Sequence, residues 1–359
     1  MKIKISQKGK EKNKKENLEP KKKKQSNGSE LRQDIVTGDW VVIATGRAKR
    51  PEDFAKNEYS THDLDGDTGN CLFCDPVKSG QEKDTLIYST DNGDWTLRVF
   101  PNKYPAFSRG RKVASLAKGP YFGMTGVGYH EVIVTRDHFN HLPDLTDMEV
   151  AEVFDAFQDR YLDLMNRKSV NYITIFHNYG KEAGASIAHP HSQLIAIPVI
   201  SPYVRQELNG AELYHKSNNK CVYCEIANYE SKEGTRVVFE NDEFIAVAPF
   251  SSRSAFEVWV MPKKHKPYFE RITDEEKLKL AEVFRKALLG IKRAVNNPPY
   301  NFYIHTSPCD GKDYSHYHWH IEILPHTSTW AGFELETGIE ISMIEPEVSA
   351  QAMRENIEE

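Results

Sequence analysis

The chain has 359 residues, 28 % charged and 39 % hydrophobic, with a formal net charge of −5. That length suits about two ordinary domains, each able to bury its own core. No apolar run approaches the ~18 residues that a membrane-crossing helix needs, so no membrane partner is expected.

Residues 1–30 hold eleven Lys and four Glu, a net +7 that leaves −12 on the rest of the chain. With no apolar segment they read as a disordered Lys-rich tail rather than a secretory leader. The tail lacks aromatics and arginines and the remainder is acidic, so no nucleic-acid partner is expected. Five cysteines, four of them in Cys-x-x-Cys pairs, suit metal sites in a reducing cytoplasm better than a disulfide framework. Cys309 has no partner nearby.

In chain order, Cys71-Leu-Phe-Cys74 is followed by His138 and by a capping box, Thr146-Asp-Met-Glu149, that opens a long helix. A strand from Asn171 leads into Asn178-Tyr-Gly-Lys-Glu-Ala-Gly-Ala-Ser186 and then into His189-Pro-His191-Ser-Gln193. The same series recurs. Cys221-Val-Tyr-Cys224, His265, the capping box Thr273-Asp-Glu-Glu276, a strand from Asn301 and the run His316-Tyr-His318-Trp-His320 repeat it in the same order, and an offset of 127 relates Thr146 to Thr273. His138 to His189 and His265 to His316 are both separated by 51. Two copies of one α+β unit, each with antiparallel strands and a packed helix, are the economical account, because no Gly-rich dinucleotide loop follows any strand. The halves are expected at 31–200 and 201–359, with the boundary between Ile200 and Asn219, where Pro202, Asn209, Gly210, Asn218 and Asn219 interrupt the pattern.

Two thiolates and two imidazoles make a closed tetrahedral set for zinc, and Cys71, Cys74, His138 and His189 form the first. In an extended chain His189, His191 and Gln193 leave one face, so His191 is held beside the metal with a nitrogen free to attack an electrophile. Gly180, Gly184 and Ser186 offer backbone N–H groups and a hydroxyl for phosphate oxygens, and Gln193 adds a donor without negative charge.

The stretch from Phe176 to Gln193 resembles the active-site signature of the galactose-1-phosphate uridylyltransferase family, a branch of the histidine-triad superfamily. Phe176, Asn178, Gly180, Gly184, His189, Pro190, His191 and Gln193 match it; His177 and Tyr179 depart from it. The likeness extends to Arg47-Ala-Lys-Arg50-Pro, to Asn102 and to Phe333-Glu334-Leu-Glu-Thr-Gly, and covers nearly everything after residue 31. It implies a tandem repeat of two histidine-triad-like units, and His191 as the nucleophile that takes a nucleotidyl group from a nucleotide sugar and releases a sugar 1-phosphate. It further implies that Gln193 and Ser186 steady the phosphoryl oxygens and that Asn178 holds the adduct and its nucleotide. Arg47, Arg50 and Asn102 would hold the nucleotide end, and the Phe333–Glu334 segment the hexose.

The resemblance also implies a homodimer and an additional metal site at Glu207, with His305 and the later histidines as neighbours. The second cysteine pair points to a second zinc on Cys221, Cys224, His265 and one further ligand. Repeat register nominates His316 for that place; relatives that keep only a His-Trp pair nominate His318. The leading reading of the activity is exchange of UMP between glucose and galactose 1-phosphates. The alternative is adenylyl transfer as in plant ADP-glucose phosphorylases, to which His177, Tyr179 and the second cysteine pair are similar. A zinc-knuckle nucleic-acid module would leave the histidines idle, and Gln193 stands where histidine-triad hydrolases have a third His.

Overall fold

The computed structural model describes residues 28–44, 49–57, 59, 68–110 and 112–358; the N-terminal tail up to residue 27 and Arg47 lie outside them. In chain order the strands of the first half are β1 (Glu30–Gln33), β2 (Trp40–Ile43), β3 (Leu86–Ser89), β4 (Trp95–Pro101), β5 (Ser115–Lys118), β6 (Tyr121–Met124), β7 (Tyr129–Thr135), β8 (Tyr172–Tyr179) and β9 (His191–Ile197). Those that follow are β10 (Val237–Glu240), β11 (Phe244–Val247), β12 (Val258–Pro262), β13 (Tyr300–His305), β14 (His320–Pro325) and β15 (Ile341–Ser342). The helices are α1 (Pro51–Ala55), α2 (Asp147–Leu164), α3 (Pro202–Asn218), α4 (Val222–Glu233), α5 (Asp274–Ala294), α6 (Gly332–Thr337) and α7 (Pro346–Glu358).

Among the described residues one ten-stranded sheet runs β10-β11-β12-β14-β13-β8-β9-β7-β4-β3. Every adjacent pair in it is antiparallel, as the α+β reading requires. The two halves of the chain meet at its centre, where β8 pairs with β13 from Tyr179↔Tyr300 to Ile175↔Ile304. Outward from that seam, β8-β9-β7-β4-β3 on one side faces β13-β14-β12-β11-β10 on the other.

Alternation along each strand assigns its two faces. Ile173, Ile175 and Tyr179 of β8, with Phe302 and Ile304 of β13, pack into a core that also contains Phe154 and Phe157 of α2 and Phe284 and Leu288 of α5. Both helices begin as their sequences indicate. The Thr146 hydroxyl accepts from Glu149 N–H, and Thr273 does the same for Glu276. On the same face the Arg160 guanidinium of α2 is buried against Glu131 of β7, donating at 2.7 and 2.9 Å. The opposite face is covered at the β11–β12 end by α3 and α4, through Leu208, Ala211, Tyr223, Met261 and Tyr317. Over β8 and β13 it stays open as a cleft.

The segment read as an interruption between the halves is the 17-residue helix α3. Ser201 caps it by accepting from Val204 N–H, Pro202 occupies the first turn where no N–H is needed, and Asn219 closes it at φ 54°. Gly210 breaks nothing. A Cβ there would lie 1.8 Å from the Val36 carbonyl oxygen, so the missing side chain seats the β1–β2 turn directly on the helix. Gly210→Ala should therefore destabilise the fold by about 2–3 kcal/mol through overpacking. A lowered midpoint in urea denaturation checks this; an unchanged midpoint would remove the contact from the account.

Candidate functional site

Strand β9 opens at His191, and His189 sits in the bend just before it rather than within the strand. The His189 ring is held from both sides: Nε2 donates to the Thr135 carbonyl at 2.7 Å, while Nδ1 lies 3.5 Å from both Cys71 Sγ and Cys74 Sγ. Cys74 Sγ is 3.1 Å from His138 Nδ1. Zinc bonds of about 2.3 Å to sulfur and 2.0 Å to nitrogen at a tetrahedral angle put donor atoms roughly 3.5 Å apart. The four donors, all within 4.8 Å of one another, fit that ion.

His191 is joined to this group through the backbone. Its Nδ1–H donates to the His189 carbonyl at 2.9 Å, and the Phe73 ring, inside the first Cys-x-x-Cys turn, stands edge-on at 5.1 Å between centroids. No protein group among the described residues engages Nε2. Burial holds the pKa of this imidazole below its ordinary value, with the bond to His189 acting the other way. What results is a neutral, oriented nitrogen base.

Gln193 accepts at Oε1 from His130 Nε2 at 2.8 Å, and Asn102 places its amide nitrogen 3.2 Å from the same Nε2. Phe176, the cross-strand partner of Gln193, leads to a cleft of about 520 Å³ over β8 and β13, lined by Thr174, Asn178, Arg253, Asn301 and Tyr303 among others. Asn178 faces this cleft and accepts from Asn301 Nδ2 at 2.8 Å. Gly184, at φ 87°, closes the short turn Lys181–Ala183 beside Asn178, and Ser186 is exposed two residues on. The two departures from the family signature lie on the other face. His177 is bonded to the Ser192 hydroxyl at 3.1 Å and stacked on Phe302, and Tyr179 stacks on Tyr300. They belong to the helix-covered core and do not face the cleft.

In the second half, Cys224 Sγ lies 3.6 Å from His265 Nδ1 and 3.5 Å from His318 Nδ1, with Cys221 Sγ 3.8 Å from His318 Nδ1. His265 Nε2 donates to the Ser315 carbonyl at 2.7 Å, leaving Nδ1 for a metal as in the first set. His316 is not part of this group and its ring stands beside Tyr314. The register that nominated it is displaced by two residues, because β14 opens at His320 as β9 opens at His191; His318 is thus placed as His189 is. His320 Nδ1 contacts the His318 carbonyl at 3.2 Å, repeating the His191 bond.

A third group gathers Glu207 Oε1, His305 Nδ1, His320 Nε2 and Glu322 Oε1, all buried and within 4.8 Å of one another. The remaining oxygens are anchored: Tyr317 Oη donates to Glu207 Oε2 at 2.5 Å and Arg253 donates to Glu322 Oε2 at 2.6 Å. Burial works against the charge on His320, but the carboxylates of Glu207 and Glu322 raise its pKa to about 10. Two inward carboxylate oxygens and two imidazole nitrogens suit a divalent cation, which would replace that proton.

Of the remaining expected residues, Arg50 is exposed ahead of α1, its N–H bonded to Asp53, and Arg47 is outside the described region. Phe333 and Glu334 lie on the exposed α6; no hydrogen bond, ion pair or ring contact among the described residues joins them to the His191 group. His130, Phe73, Arg253 and Glu322 were not anticipated. The one signal for Glu322 was its place two residues after His320, matching Gln193 after His191.

A family model described as the N-terminal domain of galactose-1-phosphate uridyl transferase matches residues 18–200, and one described as a domain of unknown function matches 114–359. The chain is 35 % identical over 333 residues to ADP-glucose phosphorylase of Arabidopsis thaliana, covering 91 % of this chain and 92 % of that one. It is 29 % identical over 336 residues to galactose-1-phosphate uridylyltransferase of Thermotoga maritima, covering 91 % and 98 %. The crystal structure of the A. thaliana phosphorylase with bound ADP-glucose superposes with a TM-score of 0.76 at 32 % identity, covering 91 % of this chain and 98 % of that one. An α+β fold with this matching site is that of a nucleotidyltransferase. The chain belongs to the galactose-1-phosphate uridylyltransferase family.

Replacing His318 by Ala should lower the metal content of the purified protein, whereas replacing His316 should leave it unchanged. Elemental analysis of both variants decides between them, and loss of metal only with His316 would reverse the assignment.

Proposed function

We propose that this protein transfers a nucleotidyl group from a nucleotide sugar to a phosphate-bearing acceptor through a covalent adduct on His191. The observation that carries the reading is the state of that ring, with Nδ1–H held at 2.9 Å by the His189 carbonyl and Nε2 unengaged beside Gln193. The Nε2 lone pair attacks the α-phosphorus, an N–P bond forms, and the P–O bond to the sugar 1-phosphate breaks with its electron pair leaving on oxygen. A phosphate oxygen of the acceptor then attacks the same phosphorus, and the pair of the N–P bond returns to Nε2. Charge on the transferring group grows near Gln193, so an amide donor there stabilises both steps. Ser186 and Asn178 serve the phosphoryl and nucleotide, Arg47, Arg50 and Asn102 the nucleotide end, and Phe333 with Glu334 the hexose, as the family resemblance implies.

Zinc on Cys71, Cys74, His138 and His189, and on Cys221, Cys224, His265 and His318, would clamp the start of each final strand, since four protein ligands leave no position for substrate. The third group fits a harder divalent ion. The mirrored strand order supports reading the chain as two histidine-triad-like copies, 31–200 and 201–359, that share one sheet. No helix among the described residues is long and apolar enough to cross a membrane. Thiol ligands favour a reducing cytoplasm, and a homodimer is the family expectation.

Two substrate readings stand. The first is uridylyl exchange between UDP-glucose and galactose 1-phosphate. The second, adenylyl transfer from ADP-glucose to phosphate, is supported by the 35 % identity to the phosphorylase against 29 % for the T. maritima uridylyltransferase over the same share of this chain. Incubation with labelled UDP-glucose or ADP-glucose without acceptor should leave label on denatured wild-type protein and none on His191→Ala. The nucleotide that labels identifies the base. With acceptor present, initial velocities should give parallel double-reciprocal lines; intersecting lines with no trappable adduct would sink the covalent mechanism.

A further inference from the structure

The two amides that meet His130, Gln193 and Asn102, are both turned by hydrogen bonds whose direction backbone N–H groups dictate. Tyr104 N–H donates to Asn102 Oδ1 at 2.9 Å, so the Asn102 oxygen is committed and its NH₂ is turned toward His130. Ala106 N–H donates to His130 Nδ1 at 3.3 Å. A backbone N–H cannot accept, so Nδ1 carries the lone pair and a neutral ring carries its proton on Nε2. Burial favours that neutral form by lowering the imidazole pKa, while the bond to Gln193 works the other way. Nε2–H then has one acceptor in reach, the Gln193 oxygen at 2.8 Å, because the Asn102 nitrogen at 3.2 Å only donates. No protein acceptor among the described residues meets the Gln193 amide nitrogen.

We infer that His130 is a positioning residue, which passes the polarity of the Ala106 N–H across its ring and holds the Gln193 amide with oxygen inward and NH₂ toward the phosphoryl group. An amide left free can turn either way, and in the wrong one its oxygen faces an anion. The inference rests on the proposed covalent transfer and adds to it the residue that sets the donor. Nothing in the family signature around His191 contains it, since His130 lies on β7, the strand paired with β9.

The test has two arms on the full-length protein. In ¹⁵N-histidine NMR, with the resonance assigned by its loss in His130→Phe, the wild-type ring should be the Nε2–H tautomer; an Nδ1–H tautomer overturns the inference. In single-turnover labelling with whichever nucleotide sugar forms the adduct, His130→Phe should slow adduct formation roughly 10- to 100-fold. Half-saturation by donor should stay within about threefold. His130→Gln, whose amide can both accept from Ala106 and donate to Gln193, should recover most of the rate. In a Gln193→Leu background His130→Phe should change the rate by less than about twofold, since nothing remains to orient. Equal slowing in both backgrounds, or none in either, overturns the role. Absence of label on wild-type protein with both nucleotide sugars would instead be a failure of the covalent reading, and the tautomer would still decide whether His130 orients Gln193.

Discussion

Everything at the site hangs on the peptide link between His189 and His191. The His189 ring has neither nitrogen to spare, one on the Thr135 carbonyl and the other facing two thiols, and its own carbonyl takes the His191 Nδ1–H. Two residues of chain therefore connect a metal-binding corner to a base with one free nitrogen. A closed Cys₂His₂ set has no catalytic opening of its own, but it removes the freedom of the strand end on which the base sits. An ion held by that set would fix the orientation of the imidazole two residues on.

The sheet supplies the second constraint. Alternation sends Phe176 and Asn178 to the cleft while His177 and Tyr179 go to the helix-covered core, although the four are consecutive. The residues that differ most from the family signature thus touch aromatic core rings, and substrate choice has to be made elsewhere on the open face. Residues of α2 and α5 pack behind β8 and β13, on the side away from this face.

Comparing the two strand ends shows how a shared backbone reaches different chemistry. His191 and His320 make the same bond to the carbonyl two residues back, and each is followed two residues later by a polar side chain, Gln193 or Glu322. Val132 lies across from Gln193 on β7, and Trp259 lies across from Glu322 on β12. Two residues before each of these stands a different group. His130 leaves Gln193 a neutral donor, whereas Glu257 holds the Arg253 that binds Glu322. One imidazole, though buried, consequently keeps an Nε2 that no protein group among the described residues engages; the other is enclosed among carboxylates and becomes a cation or a cation's ligand.

Local signals were enough for much of this. The capping boxes at Thr146 and Thr273 placed both long helices, because a cap is decided within four residues. The Cys-x-x-Cys pairs and the His-Pro-His step named the first group of candidate metal donors and the imidazole proposed as nucleophile, because ligand spacing is a property of a tight turn and a short strand. Helix α3 was misread from the same kind of signal, since Gly210 looks like a breaker until the Val36 backbone is known to lie against it. The choice of His318 over His316 needed the start of β14, which a fixed repeat offset missed by two residues. His130 and Arg253 were beyond reach for a different reason: what they do depends on which strands are neighbours in the sheet, and on which face each residue emerges. Pairing and facing are global outcomes of the fold. The chain alone therefore determined the chemistry available at each strand end, and the tertiary structure decided which groups meet there and in which orientation.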